Sequence, residues 1–97
     1  MVLKLIRYTT LELMFRNSTL ASYTLYSNKK QHFEGDEHFK EIMKKSIEKP
    51  EILKDYILEN LPELKGSILR YCKYHYQIID GDDEEPRLIK EELIEVK

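Results

Sequence analysis

The chain has 97 residues, 41% apolar and 35% charged, with three glycines and three prolines, which describes a single globular domain rather than a disordered or fibrous one. One cysteine, Cys72, excludes an internal disulfide. No apolar run approaches the roughly 18 residues of a membrane span, and MVLKLIRYTT breaks its apolar run with Lys4 and Arg7 and offers no cleavage site. The expectation is a protein of the cell interior, in the cytoplasm, or in the nucleus if eukaryotic, with no signal peptide.

The net charge of −2 is unevenly placed: residues 1–33 carry five cations against one acid, and residues 80–97 carry three against eight. An acidic tail behind a mildly basic head works against a nucleic-acid platform, which needs one sustained basic face. The same tail can present carboxylates to a basic protein.

In chain order, Leu3 and Leu5, then Leu11, Leu13 and Phe15, alternate with polar residues, the period of a half-buried strand. RNST (16–19) is turn-like and ASYTLYSN (21–28) suits a pleated surface. These segments predict a hairpin or three-stranded meander over 2–28. Gly35 and Asp36 then offer a loop and an N-cap, and Phe39, Ile42, Met43 and Ile47 predict a helix from about 36 to 48, ended by Pro50. Leu53, Tyr56, Ile57 and Leu61 have helical spacing, although YIL (56–58) also suits a short buried strand. Pro62 opens a further helix to about Tyr76, with Leu64, Ile68, Cys72 and His75 on one stripe and Gly66 inside it. IIDGDDEEP is a charged loop, and RLIKEELIEVK is spaced for a short amphipathic helix.

The chemistry-bearing stretch is SILRYCKYHYQIIDGDDEEPRL (67–88). Cys72 and His75, with His32 and His38 upstream, assemble into a zinc set only on paper, since neither a C-x2-C nor an H-x3-H pair anchors it. The acidic run lacks the alternating ligands of a calcium loop. Cys72 on an apolar stripe has nothing to stabilise a thiolate, and the chain has neither a phosphate loop nor a G-x-S-x-G turn. No enzyme, metal or other cofactor is therefore expected. Arg70, Lys73, Tyr74 and Tyr76 interleave cations with aromatics as single-strand nucleic-acid binders do, but five acids follow at once. On a helix, Tyr71, Tyr74 and Tyr76 cannot all reach the buried face, so at least one ring is left for a protein contact.

ILRYCKYHYQIIDGDDEEP resembles the helix and proline-closed acidic loop of the elongin C and SCF-adaptor family, small BTB/POZ-fold proteins that link cullin ubiquitin ligases to substrate receptors. YILENLP is similar to the strand and proline before that helix, HFEGDEHFKEIMKK to the family's early helix, LELMF with SYTLYSN to its first hairpin, and EEPRLIKEELIEV to the lead into its terminal helices. The resemblance implies a strand at 56–59, which is preferred here over the helical spacing of those residues, a BTB core with its cullin- or self-association face, and little of the receptor-binding half.

Together these readings predict one α/β (α+β) interaction domain over 1–97, BTB/POZ-like, with an N-terminal hairpin or meander packed on three or four helices. Its partner is another protein, a cullin-type scaffold or a host complex that a small viral or phage protein would inhibit; a homodimer is a further candidate and single-stranded nucleic acid a third. The predicted contact residues are Tyr71, Tyr74 and Tyr76 as anchors, Arg70 and Lys73 as rim, and Asp82, Asp83, Glu84 and Glu85 as a steering element. Leu64, Ile68 and Cys72 are the predicted core of the helix.

Overall fold

The computed structural model describes residues 3–79, 82–83 and 85–97. Its centre is a pair of long antiparallel strands, β1 (Leu3–Phe15) and β4 (Ile68–Ile79), in register from Leu3 opposite Ile79 to Met14 opposite Ile68. β2 (Ser18–Tyr26) pairs with the outer side of β1, and β3 (Gln31–Gly35) with β2. On the other flank β6 (Arg87–Glu95) and the two-residue β5 (Asp82–Asp83) both pair with β4. Every pairing is antiparallel. The class is α+β: an antiparallel sheet of five main strands with two short α-helices, α1 (Lys40–Ser46) and α2 (Glu51–Asn60).

Local chemistry explains much of the first half as the sequence reads, except that the third strand, β3, lies at Gln31–Gly35, beyond the expected 2–28 and where a loop was expected at Gly35. The β1–β2 hairpin closes through Arg16 and Asn17, at φ 52° and 64°. Two consecutive left-handed residues give the turn whose twist matches that of its strands. Asp36 accepts a hydrogen bond from the His38 backbone N–H at 3.0 Å and so caps the 3-10 turn that leads into α1. Pro50 lies after α1 and serves as the N-cap of α2.

The second half departs from expectation. Residues 56–59 are helical, as their own periodicity predicts and not as the BTB resemblance implies. Beyond a single 3-10 turn at Pro62–Leu64, the expected helix to Tyr76 is strand β4, and the expected terminal helix is strand β6. Two α-helices therefore stand where three or four were expected, and the helix that carried the resemblance is the middle of a sheet. Gly66 does not interrupt a helix but turns the chain into β4 at φ +96°.

Both helices pack on one side of the sheet, called here the helix side. Leu11, Leu13, Ala21, Tyr23, Leu69 and Tyr71 from the strands meet Met43, Ile47, Leu53 and Ile57 from the helices, with Val96 closing the cluster. The buried Tyr23 ring keeps its hydroxyl satisfied by donating to Gln31 Oε1. Leu64 packs against this core, whereas Ile68 is 38% exposed. No helix of the described residues is long and apolar enough to cross a membrane.

Thirteen residues of β1 span about 44 Å and ten residues of α2 about 15 Å, so the sheet outruns its helices. The molecule accordingly measures 52 × 21 × 21 Å. Its accessible surface of 6761 Å² exceeds the roughly 5,900 Å² of a compact domain of this mass. The far end of the sheet thus has two uncovered faces.

Gly35 ends β3 at φ +127°, and a Cβ there would lie 2.6 Å from the Leu20 carbonyl oxygen and 2.7 Å from Ala21 Cα. Gly66 also has positive φ, but a Cβ there meets nothing within 4 Å. In urea unfolding, Gly35→Ala should therefore lose about 1–3 kcal/mol and Gly66→Ala clearly less. Equal losses would show that backbone conformation alone, and not the β2–β3 contact, sets the cost.

Candidate functional site

Strand parity assigns every side chain of β4 to a face. Leu69, Tyr71, Lys73, His75 and Gln77 share the helix side; Ile68, Arg70, Cys72, Tyr74 and Tyr76 share the opposite, open face. In β1 the open face carries Ile6, Tyr8, Thr10, Glu12 and Met14. Tyr8 lies opposite Tyr74 on one flank and opposite Tyr26 on the other, so three strands bring three tyrosines into one row. Tyr76 follows in the next row, opposite Ile6.

The rings form one cluster around Tyr8. Its centroid lies 4.9 Å from Tyr74 in a stacked pair, 5.2 Å from Tyr26 in a tilted one and 6.0 Å from Tyr76 edge-on. Each of the four is half-buried, while Ile6 and Cys72 on the same face are almost wholly buried. Such pairs contribute about 0.5–1.5 kcal/mol each beyond burial. The open face thus has an ordered aromatic surface with no helix over it.

Charge borders the cluster on two sides. Arg70 Nε donates to Glu91 Oε1 at 3.1 Å, and its Nη1 lies 3.6 Å from Glu12 Oε1. The Glu91 hydrogen bond raises the Arg70 pKa and fixes the guanidinium in place. Glu34 lies in the same row as Glu12, through Ser22. At the other side Lys4, Lys30 and His32 share a shallow hollow with Ile6, Tyr26 and Tyr76.

The predicted contact residues are therefore redistributed. Tyr74 and Tyr76 lie on the open face with Arg70 beside them. Tyr71 is 5% exposed, faces the helices and belongs to the core rather than to a contact surface. Lys73 is exposed on the helix side, its Nζ 5.8 Å from the Tyr71 ring centre. Asp82 and Asp83 form β5, their side chains lie outside the described residues, as does Glu84, and Glu85 is exposed in the link to β6. Cys72 is buried but on the open face, away from the helices. Cys72 and His75 point to opposite faces of β4, so the zinc pair drawn on paper is not brought together. His32 instead lies 3.0 Å from Glu34, and His38 2.7 Å from Asp36. Among the described residues no group of three or more metal-ligating side chains converges.

Sequence reasoning missed Tyr8 and Tyr26. The even-numbered run Ile6, Tyr8, Thr10 was visible as the second face of β1, but its contact with Tyr74 exists only through strand pairing.

Burial, and then the neighbouring phenols of Tyr74, Tyr26 and Tyr76, raises the Tyr8 pKa above the ordinary 10.0. Burial is also the main cause for Tyr74, where the Cys72 thiol adds to the rise and Arg70 opposes it. Tyr23 is raised by burial and by Glu41. A phenol whose folded pKa exceeds its unfolded value stabilises the fold fully below about pH 10 and loses that contribution as pH rises through the folded pKa. An ultraviolet phenolate titration should show phenols that ionise late, from Tyr8, Tyr23 and Tyr74, and Tyr8→Phe should remove one of them and soften the loss of stability above pH 10. Simultaneous titration of all seven tyrosines would contradict the cluster.

No protein-family model matches the chain, and neither a curated protein nor a solved structure is significantly similar to it.

Proposed function

We propose that this protein is a non-enzymatic binding module that takes another protein on the open face of its sheet. The observation that carries this reading is the contiguous Tyr8–Tyr26–Tyr74–Tyr76 cluster on a face that no helix covers. Tyrosine is favoured at contact surfaces because it supplies large apolar area and a polar tip for two rotatable bonds. Here the rings already hold one another, so little side-chain freedom remains to be lost on binding. The Arg70–Glu12–Glu91 ion cluster gives the patch a polar, ordered rim. On this face Cys72 is wholly buried, and His75 points to the other side, so the two do not meet.

A cullin-type scaffold is the partner class that the sequence resemblance suggests, a host complex inhibited by a small viral or phage protein is the alternative, and the open face serves either. One observation favours a second reading. Lys4, Lys30 and His32 lie beside Tyr26 and Tyr76 in the arrangement a single-stranded nucleic acid would use. Against it, Glu12, Glu34 and Glu91 occupy the same face and oppose phosphate.

Affinity capture with quantitative mass spectrometry tests the proposal, using wild type, Tyr8→Ala, Tyr74→Ala and a Lys40→Ala control, each confirmed as folded by its thermal transition. Tyr8→Ala and Tyr74→Ala should each weaken retention of a specific protein by about 2 kcal/mol or more, with the control unchanged. Retention of the same proteins by all four would place the contact elsewhere, and nuclease-sensitive retention would favour the nucleic-acid reading.

A further inference from the structure

On the helix side, beyond the reach of the helices, the sheet gathers cations. The register sets Arg7 opposite His75 and His75 opposite Arg87, a row across three strands. In the next row Lys73 lies opposite Lys90. Arg7, Lys73, Arg87 and Lys90 are exposed. Like charges directly opposite across strands destabilise a sheet; Lys73 and Lys90 are such a pair, and in the adjacent row Arg7 and Arg87 flank His75.

Nothing described in the fold relieves this. Among the described residues, no carboxylate forms an ion pair with any of these five side chains. Glu92, one row nearer the helices, is the acid that the register puts closest on this face of the sheet, and it too makes no such pair. On the opposite face, by contrast, the same strand pairs Arg70 with two glutamates. Among the described residues, one face pairs its cation internally and the other leaves its cations open to an outside anion.

The patch also has a shape. Arg7, Thr9, Lys73, His75 and Ile89, with Tyr8 and Tyr74 between them, line a shallow groove between β1, β4 and β6. The register of β6 slips between Lys73 and Tyr74, leaving Ile89 unpaired in a bulge and 56% exposed. Leu5, in the row beyond Arg7, is 46% exposed. Aliphatic side chains thus flank the cations.

We propose that this groove binds an acidic polypeptide segment that also carries aliphatic side chains. Cations recur about 4.8 Å apart across the strands and about 7 Å apart along them. Carboxylates at alternate positions of an extended peptide have the same spacing of about 7 Å, and its aliphatic residues would cover Leu5 and Ile89. A nucleic acid is less well matched. Tyr8 and Tyr74 contribute to the floor of the groove, but strand parity turns their rings to the other face, where they stack on each other, and Tyr71 is 5% exposed beneath Lys73, so bases would find no platform here. The two surfaces are back to back on the same strands and use different side chains, so either can fail without the other.

Fluorescence anisotropy tests the proposal with three labelled probes: a short peptide with glutamates at alternate positions and leucines at its ends, its lysine-for-glutamate counterpart, and a thymidine oligonucleotide of equal charge. At about 50 mM salt, the acidic peptide should bind best, and the paired Lys73→Glu and Arg87→Glu variant should weaken it about tenfold or more. A Lys40→Glu and Lys65→Glu control carries the same change in net charge at exposed sites elsewhere and should bind like wild type. Absence of peptide binding, tighter binding of the oligonucleotide, or an equal loss in the control would each overturn the proposal.

Discussion

Everything distinctive about this molecule depends on the long pairing of β1 with β4. Twelve residue pairs hold the two strands together from Leu3–Ile79 to Met14–Ile68. Only the half around Leu11, Leu13, Leu69 and Tyr71 has helices to bury it. The rest extends as a twisted ribbon whose faces must be stabilised by their own side chains. On the open face this is done with aromatic rings over Ile6 and Cys72. On the helix side the same stretch of ribbon carries Arg7, Lys73 and His75, with no comparable apolar cover.

Much of the first sixty residues was legible in the sequence because their signals are local. Alternation in LELMF, turn residues in RNST, the Asp36 cap and the spacing of Leu53 with Ile57 each act within a few positions, and each has its counterpart in the fold. The stretch from 67 onward was misread for a definable reason. Leu64, Ile68 and Cys72 are four apart, which fits one face of a helix and equally alternate positions of a strand, whereas His75, on the same helical stripe, falls on the other face of β4. The β-branched and aromatic content of ILRYCKYHYQII was the better guide. In β6 the bulge shifts the parity, so that Leu88 and Leu93, five residues apart, share a face that no simple alternation would give them.

The candidate site was half legible. Tyr74, Tyr76 and Arg70 carry suggestive chemistry and do lie together. Tyr71 stands out just as much in the sequence and proves to be core, because one step along a strand reverses the face. Tyr8 and Tyr26 were silent, since their meaning comes from partners supplied by the pairing of distant strands. The electrostatic organisation was likewise hidden: a net charge of −2 says nothing of how the sheet sorts cations and acids between its faces.

The order in which the chain can assemble follows from the same central pair. β1 meets β2 through a two-residue turn, but from Met14–Ile68 to Leu3–Ile79 its partners in β4 lie 54 to 76 residues away. Loop-closure entropy must be overcome before those contacts stabilise anything, which slows folding through topology rather than through weak contacts. At about 5–20 residues per second, a ribosome needs seconds to add the segment between the two strands. Throughout that interval the β1–β2 hairpin has an unpaired edge and uncovered leucines. Until β4 arrives, the strand that later organises the whole sheet is also its most aggregation-prone part.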